Sequence, residues 1–298
     1  MANRDTFSSY HPVVNFLYFA LVIAFSMIFM HPVCLGVSLA ASITYSLYLN
    51  GKKAVRFHLR FMLPMFIVAA IFNPAFSHEG VTILAYLPSG NPLTLESILY
   101  GVAASAMLCA VIAWFSCYSA VMTSDKFVYL FGRVIPAMSL ILSMTLRLVP
   151  RFIAQVKVVS SAQKCVGRDV GSGSLWQRAS SGVTILSITI TWALENAVET
   201  ADAMKSRGYG LKGRTAFSIY RFDRRDGAML LFLLLCAGYI VLGFSFGAIT
   251  WRYYPSMKGV IAGFYTFSVF LVYLALCFAP VAINILEDRK WRALQSAA

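Results

Sequence analysis

Six runs of about 20 apolar residues, at 13–30, 33–49, 60–76, 97–122, 228–248 and 259–284, constrain this chain more than any other feature. A helix crossing a bilayer needs about 20 consecutive, mostly apolar residues, and in lipid only a helix or a closed barrel satisfies every backbone polar group. The runs are continuous, not alternating, so they predict helices. The expected fold class is therefore an all-α integral membrane protein with about six transmembrane helices. Composition agrees: 59% of the residues are hydrophobic and 12% charged, with a mean hydropathy of +0.72, against about 25% charged in soluble domains. His31-Pro32 makes the first two runs a tight hairpin, Gly51-Lys52-Lys53 ends the second, and Phe72-Asn73-Pro74 predicts a break near the end of the third. A cleavable signal peptide is not expected, because no small-residue cleavage site follows the first run.

Charge sets the predicted orientation. The net charge is +13, which in a soluble chain would suggest nucleic acid. In a membrane chain, cytoplasmic loops collect Lys and Arg, so no nucleic-acid partner is expected. Lys52, Lys53, Arg56 and Arg60 lie in the second connection, the 77–96 connection has no Lys or Arg, and segment 123–226 has fifteen, Arg133, Lys212 and Arg214 among them. Arg289, Lys290 and Arg292 follow in the tail. Both termini, the 50–60 connection and 123–226 are predicted to be cytoplasmic, and the lipid bilayer is the first partner. Arg252 and Lys258 fall on the other side as a minor exception. Three regions follow: 1–122, a four-helix transmembrane region; 123–226, a cytoplasmic or interfacial region; and 227–298, two transmembrane helices and a basic tail.

The central region is too polar to span and too patterned for a loop. The apolar run 127–149 carries Gly132, Arg133, Pro136 and Arg147 and reads as interfacial or partly buried. Pro150 suits a kink or a first helical turn. From Arg151 to Val166, Phe152, Ile153, Val156 and Val159 share one helical face, with Gly167 as the stop and 169–173 as a turn. Ser174-Leu175-Trp176-Gln177 fits a capping box. A helix from there to Arg207, stopped by Gly208, would run about 50 Å. Its first half, Val183 to Leu194, is apolar on nearly every face and too short to span comfortably, so it needs cover. Its second half carries Glu195, Glu199 and Asp202 at i, i+4 and i+7.

Bland explanations exist for each of these features. Lys205 and Arg207 are cations of the kind any helix C-terminus favours. The acidic stripe suits a solvated face, and Arg147 a headgroup or carbonyl anchor. His11, His31, His58 and His78 are scattered, and five of the six cysteines (all but Cys165) lie in apolar stretches, so no metal site, cofactor or disulfide is expected. The chain contains no G-x-x-x-x-G-K-[ST], H-E-x-x-H or G-x-S-x-G, so no catalytic residue is assigned. The spans also lack the Asp or Glu of proton-coupled carriers.

Over roughly 10–285 the order of features resembles the T component of energy-coupling factor (ECF) transporters, ABC-type importers of vitamins and some metal ions. Met144 to Pro150 looks like that family's entry into its coupling helices. Ala162-Gln163-Lys164-Cys165-Val166-Gly167 matches the first short motif in position. Leu194-Glu195-Asn196-Ala197, followed by Ala201 through Gly210, matches the second closely. The resemblance implies a non-catalytic scaffold in a prokaryotic plasma membrane, with long cytoplasmic coupling helices and two ABC-type ATPase subunits as partners. These would dock at Ser206, Arg207, Gly208 and at Cys165, Val166, Gly167, with Lys164 and Arg168 as possible auxiliaries. Arg147, Pro150, Glu195, Glu199 and Asp202 would support the coupling helices. A membrane-embedded, substrate-binding S component would face Val183, Ile185, Leu186, Ile188, Ile190 and Trp192. The first motif departs from the pattern, since Val166 stands where Arg is expected. The alternatives are a self-contained secondary transporter or channel, and a membrane enzyme acting on lipid-linked substrates.

Overall fold

The computed structural model describes residues 5–77, 79–86, 92–132, 136–171, 173–209, 220–259 and 263–297, the side chains of 132, 136–140 and 296–297 excepted. His78, Arg133, Ser172, Gly210, Lys212 and Arg214 lie outside the described residues. The chain forms two compact units, Met1–Thr123 with Tyr220–Ala298, and Ser124–Ile219.

The first unit is an all-α membrane fold. Its helices are α1 (Pro12–Ile28), α2 (Pro32–Asn50), α3 (Lys52–Phe57), α4 (Leu63–Phe76), α5 (Leu95–Val121), and, after the second unit, α9 (Arg224–Ser245) and α10 (Phe264–Ala297). Among the described residues, five stretches are long and apolar enough to cross a membrane: Pro32–Asn50, Lys52–Phe76, Leu95–Val121, Arg224–Ser245 and Phe264–Gln295. The first of the six predicted runs is shorter, 17 residues in α1. His11 and His31 start α1 and α2 in the same way, each with Pro at the first helical position and Nδ1 accepting the N–H two residues on. The third run is not broken at Pro74: helix continues to Phe76. It is joined to α3 through a π-helical segment, His58–Met62. Two short antiparallel ladders, absent from the sequence reading, complete the unit: β1 (Ile83–Tyr86) with β2 (Pro92–Thr94), and β3 (Trp251–Arg252) with β4 (Lys258–Gly259).

Aromatic packing builds the core. Trp114 on α5 is fully buried, with edge-to-face contacts to Tyr18 at 6.1 Å and Phe19 at 6.4 Å on α1. Its indole N–H donates to Ser38 Oγ at 3.0 Å, and Ser38 lies 2.6 Å from Ser26 Oγ, which donates to the Val22 carbonyl. Small hydroxyls thus link α1, α2 and α5 in a setting where unmet polar groups are costly. Cys34, Cys109, Cys117, Cys236 and Cys277 are buried as free thiols, and Cys165 is exposed.

The two ends of the chain meet in a polar clasp. The fully buried Asn284 on α10 accepts from the N–H groups of Thr6 (2.9 Å) and Phe7 (3.1 Å), and donates to Asp5 at 2.7 Å. Asp226 at the start of α9 accepts from the His11 N–H at 3.0 Å, and the Arg225 guanidinium sits 4.4 Å over Tyr10. Burial lowers the His11 pKa, with Asp226 opposing. Replacing Asn284 with Leu keeps the volume but strands the buried Phe7 N–H and the part-buried Thr6 N–H, a cost of about 2 kcal/mol. The expected result is faster hydrogen exchange at residues 5–9; unchanged protection would show that the clasp does not hold this segment.

The second unit contains α6 (Ser124–Gly132), α7 (Pro136–Cys165) and α8 (Leu175–Ser206). The interfacial segment expected over 127–149 is thus α6 plus the first half of α7. Pro150 neither starts nor ends a helix. It lies inside the 30 residues of α7, on an exposed stretch, and deprives the Leu146 carbonyl of its usual partner.

Candidate docking site

The ends of α7 and α8 share one geometry. At the end of α7, the Gly167 N–H bonds the Lys164 carbonyl at 3.0 Å and the Arg168 N–H bonds the Gln163 carbonyl at 2.9 Å. At the end of α8, the Gly208 N–H bonds Lys205 at 3.0 Å and the Tyr209 N–H bonds Met204 at 3.0 Å. Both are Schellman motifs, which need a left-handed residue just past the cap. Gly167 (φ +80) and Gly208 (φ +71) supply it. The correspondence runs position by position: Lys164 with Lys205, Cys165 with Ser206, Val166 with Arg207, Gly167 with Gly208. Val166 and Arg207 therefore occupy the same C-cap position, one apolar and one cationic. Both are exposed, Val166 by 74%. A Gly208→Ala change forces a Cβ into the left-handed region at about 1 kcal/mol. Hydrogen exchange at Gly208 and Tyr209 is expected to rise by roughly 5-fold, and no change would argue against the cap.

The auxiliary cations do not take the C-cap position. Lys164 Nζ lies 3.5 Å from Asp169 Oδ2. Asp169 also accepts the Gly171 N–H at 2.9 Å, and that bond, with Lys164 adding, holds its carboxyl below the usual range. Arg168 stands beyond the glycine, where the chain has left the helix.

The two helices touch well before their ends. Phe152 on α7 meets Trp192 on α8 edge to face at 5.7 Å. Arg151 lies 5.6 Å over the same indole and donates to Asn196 Oδ1 at 3.2 Å. From this contact to each cap is 14 residues on α7 (152 to 166) and 15 on α8 (192 to 207), so each arm extends about 20 Å at 1.5 Å per residue. Sequence reasoning passed over Arg151 and Asn196; an Arg and an Asn on two amphipathic helices carry no signal of their pairing. Of the four residues assigned to one α7 face, Val159 is buried and Phe152 half-buried, but Ile153 and Val156 are exposed.

The apolar half of α8 is sorted more sharply than its sequence suggested. Ile185 and Thr189 are buried and Trp192 half-buried, so Ile185 and Trp192 leave the open surface assigned to them. Val183 (67% exposed), Leu186, Ile190, Leu194 and Val198 form one open stripe at helical spacing. Ile188 is exposed beside it. The Thr184, Thr189, Thr191 and Thr200 hydroxyls each donate to the carbonyl four residues back, so the polar atoms among these apolar residues are already bonded. The helix starts as expected: Gln177 N–H donates to Ser174 Oγ at 3.4 Å and the Ser174 N–H to Gln177 Oε1 at 3.0 Å. Glu195, Glu199 and Asp202 are exposed, as are Arg147 and Pro150 on α7. No cluster of three or more His, Cys, Asp or Glu side chains able to hold a metal occurs among the described residues.

Comparison with known proteins supplies the family. The family described as "CbiQ: Cobalt transport protein" matches residues 6–217. The Energy-coupling factor transporter transmembrane protein EcfT of Bacillus selenitireducens is 32% identical over 105 residues, 35% of this chain and 39% of the relative. The EcfT of Lacticaseibacillus paracasei is 33% identical over 106 residues, 35% of this chain and 40% of the relative. EcfT 1 of Listeria monocytogenes is 34% identical over the same length and the same shares. The match thus spans about two fifths of these curated relatives. Since the family match runs over most of the chain, this protein belongs to the CbiQ family of cobalt transport proteins, the family that the EcfT resemblance had indicated.

Proposed function

We propose that the chain is the transmembrane scaffold, or T component, of an ECF-type ABC importer, coupling ATP hydrolysis by separate ATPase subunits to uptake of a vitamin or metal ion bound by an S component. The observation that carries this reading is the pair of matched helix ends: two C-caps of one geometry, each about 20 Å from a common contact, presenting exposed residues to a pair of similar partners. The chain itself has no catalytic role. ATPases dock through Ser206, Arg207, Gly208 at one end and Cys165, Val166, Gly167 at the other. Arg207 is the stronger anchor, because a guanidinium can bond a carboxylate bidentately, and the Val166 end makes an apolar contact. Glu195, Glu199 and Asp202, with Arg147 and Pro150, support the coupling helices.

The S component covers the stripe of Val183, Leu186 and Ile190, with Ile188 beside it. An open apolar stripe on a stretch of α8 too short to span needs such a cover. The chain sits in a prokaryotic plasma membrane with both termini cytoplasmic, the side on which its basic residues collect. The test is affinity purification of the full chain from membranes of cells producing it with its neighbouring genes. The expected result is co-purification of P-loop ATPases and a small hydrophobic protein, with uptake dependent on ATP. Uptake by the purified chain alone in vesicles would instead establish a self-contained transporter.

A further inference from the structure

At the end of the first unit away from the chain termini, the α1–α2 and α9–α10 connections border an open pocket of about 720 Å³ lined by Ile28, Met30, Phe244, Ile249, Thr250 and the β3–β4 hairpin. Tyr253 closes the two connections together, its hydroxyl donating to the Met30 carbonyl at 3.0 Å. Arg252 and Lys258 both line this pocket. They are the two cations that broke the charge pattern of the sequence, and they are direct cross-strand partners. Residues opposite each other in an antiparallel ladder put their side chains on one face about 5 Å apart, and like charges placed so repel. Among the described residues neither has a carboxylate within ion-pair distance. The hairpin is nonetheless tightly made. Gly259 lies opposite Trp251, and a Cβ on it would overlap the Trp251 ring, so only glycine lets that indole lie across the ladder as a pocket wall.

We infer that this pocket is a phosphate site, with Arg252 and Lys258 clamping the phosphate of an anionic lipid headgroup while Ile28, Met30 and Phe244 receive the start of its acyl chains. Two exposed cations, paired across the ladder and without an ion-pair partner among the described residues, offer an anion two charge-assisted contacts from one face. The lipid source is favoured over free phosphate by the apolar side chains of the lining, Ile28, Met30, Phe244, Ile249 and Trp251, and by the large apolar side chains left open nearby, Phe246 at the end of α9 (77% exposed) and Phe264 at the start of α10 (96% exposed). The volume suits a headgroup and its glycerol rather than a bare ion.

The test is native mass spectrometry of the full-length chain equilibrated with equimolar phosphatidylglycerol and phosphatidylcholine of matched acyl chains. Lipids elsewhere on the basic surface make the difference between variants the readout. The expected result is that R252Q/K258Q loses a bound phosphatidylglycerol, with its preference over phosphatidylcholine falling on the order of 5-fold for each cation removed. The charge-keeping pair R252K/K258R retains it. Identical lipid retention by the wild type and R252Q/K258Q, both monodisperse, overturns the site. If the two differ only in binding millimolar inorganic phosphate, the lipid assignment is overturned in favour of a free anion.

Discussion

On the proposed docking, reversing the charge at Arg207 is expected to release an ATPase from the end of α8. A buried, hydrogen-bonded charge pair that loses one partner costs about 2–5 kcal/mol, and a Glu facing the partner's carboxylate adds repulsion. Co-purification of that ATPase with Arg207→Glu should therefore fall by at least about 30-fold while the chain still inserts. Val166→Glu should cost less, because it breaks no ion pair and a carboxylate at this exposed helix end can turn to water. The cap itself should survive both changes, since its hydrogen bonds are backbone to backbone and its glycines are untouched. If Arg207→Glu leaves ATPase recovery unchanged in a correctly inserted chain, Arg207 is not the anchor, and the basic helix end is only a dipole-favoured terminus.

The same geometry argues for unlike contacts at the two ends. Val166 and Arg207 sit at one structural position, so the difference between them is chemical and not a shift in register. Lys164 is held by Asp169 at 3.5 Å, and Arg168 lies past the left-handed glycine. Neither occupies the C-cap position that Arg207 holds at the other end. Two ATPase subunits that differ in the docking groove, or one subunit that tolerates both contacts, would meet these ends.

Truncating Trp114 to Ala is expected to be the most damaging single change in the first unit. The side chain is fully buried, contacts Tyr18 and Phe19, and donates to Ser38. In lipid the transfer term is weak, so the loss is mainly of packing and of one interhelical hydrogen bond. A large aromatic-to-Ala change in a packed core costs about 3–5 kcal/mol, and a fall in Tm on the order of 10 °C follows. Thermal unfolding in detergent, followed by intrinsic fluorescence, measures it. Trp114→Phe should recover part of the loss but leave Ser38 without its donor. A Tm within a degree or two of the wild type for Trp114→Ala would contradict the packing account.

Much of the fold could be read from residues whose physics is local. The apolar runs marked the spanning helices, Ser174 with Gln177 marked the start of α8, and Gly167 and Gly208 marked both caps. What stayed hidden depended on distant partners or on exposure. Pro150 suited a first helical turn, but a missing N–H within an exposed stretch is tolerated, so α7 runs through it. The chemistry of Val183–Leu194 showed that cover was needed but not which side had it. Ile185 and Thr189 turned out buried, and Val183, Leu186 and Ile190 open. The clasp of Asn284 on Thr6 and Phe7 spans nearly the whole chain, and the β3–β4 hairpin is too short for periodicity to register. At the site, the sequence named the cap residues but not the Phe152–Trp192 contact from which the two arms extend.

The most direct measurement is site-specific photo-crosslinking in native membranes, with a benzoyl-phenylalanine placed singly at position 166 and at position 207. The account predicts that each position traps a P-loop ATPase, identified by mass spectrometry, and that one on the solvated acidic stripe, at Glu199, does not. Trapping of no ATPase at either cap by a chain that is inserted and supports uptake would contradict it.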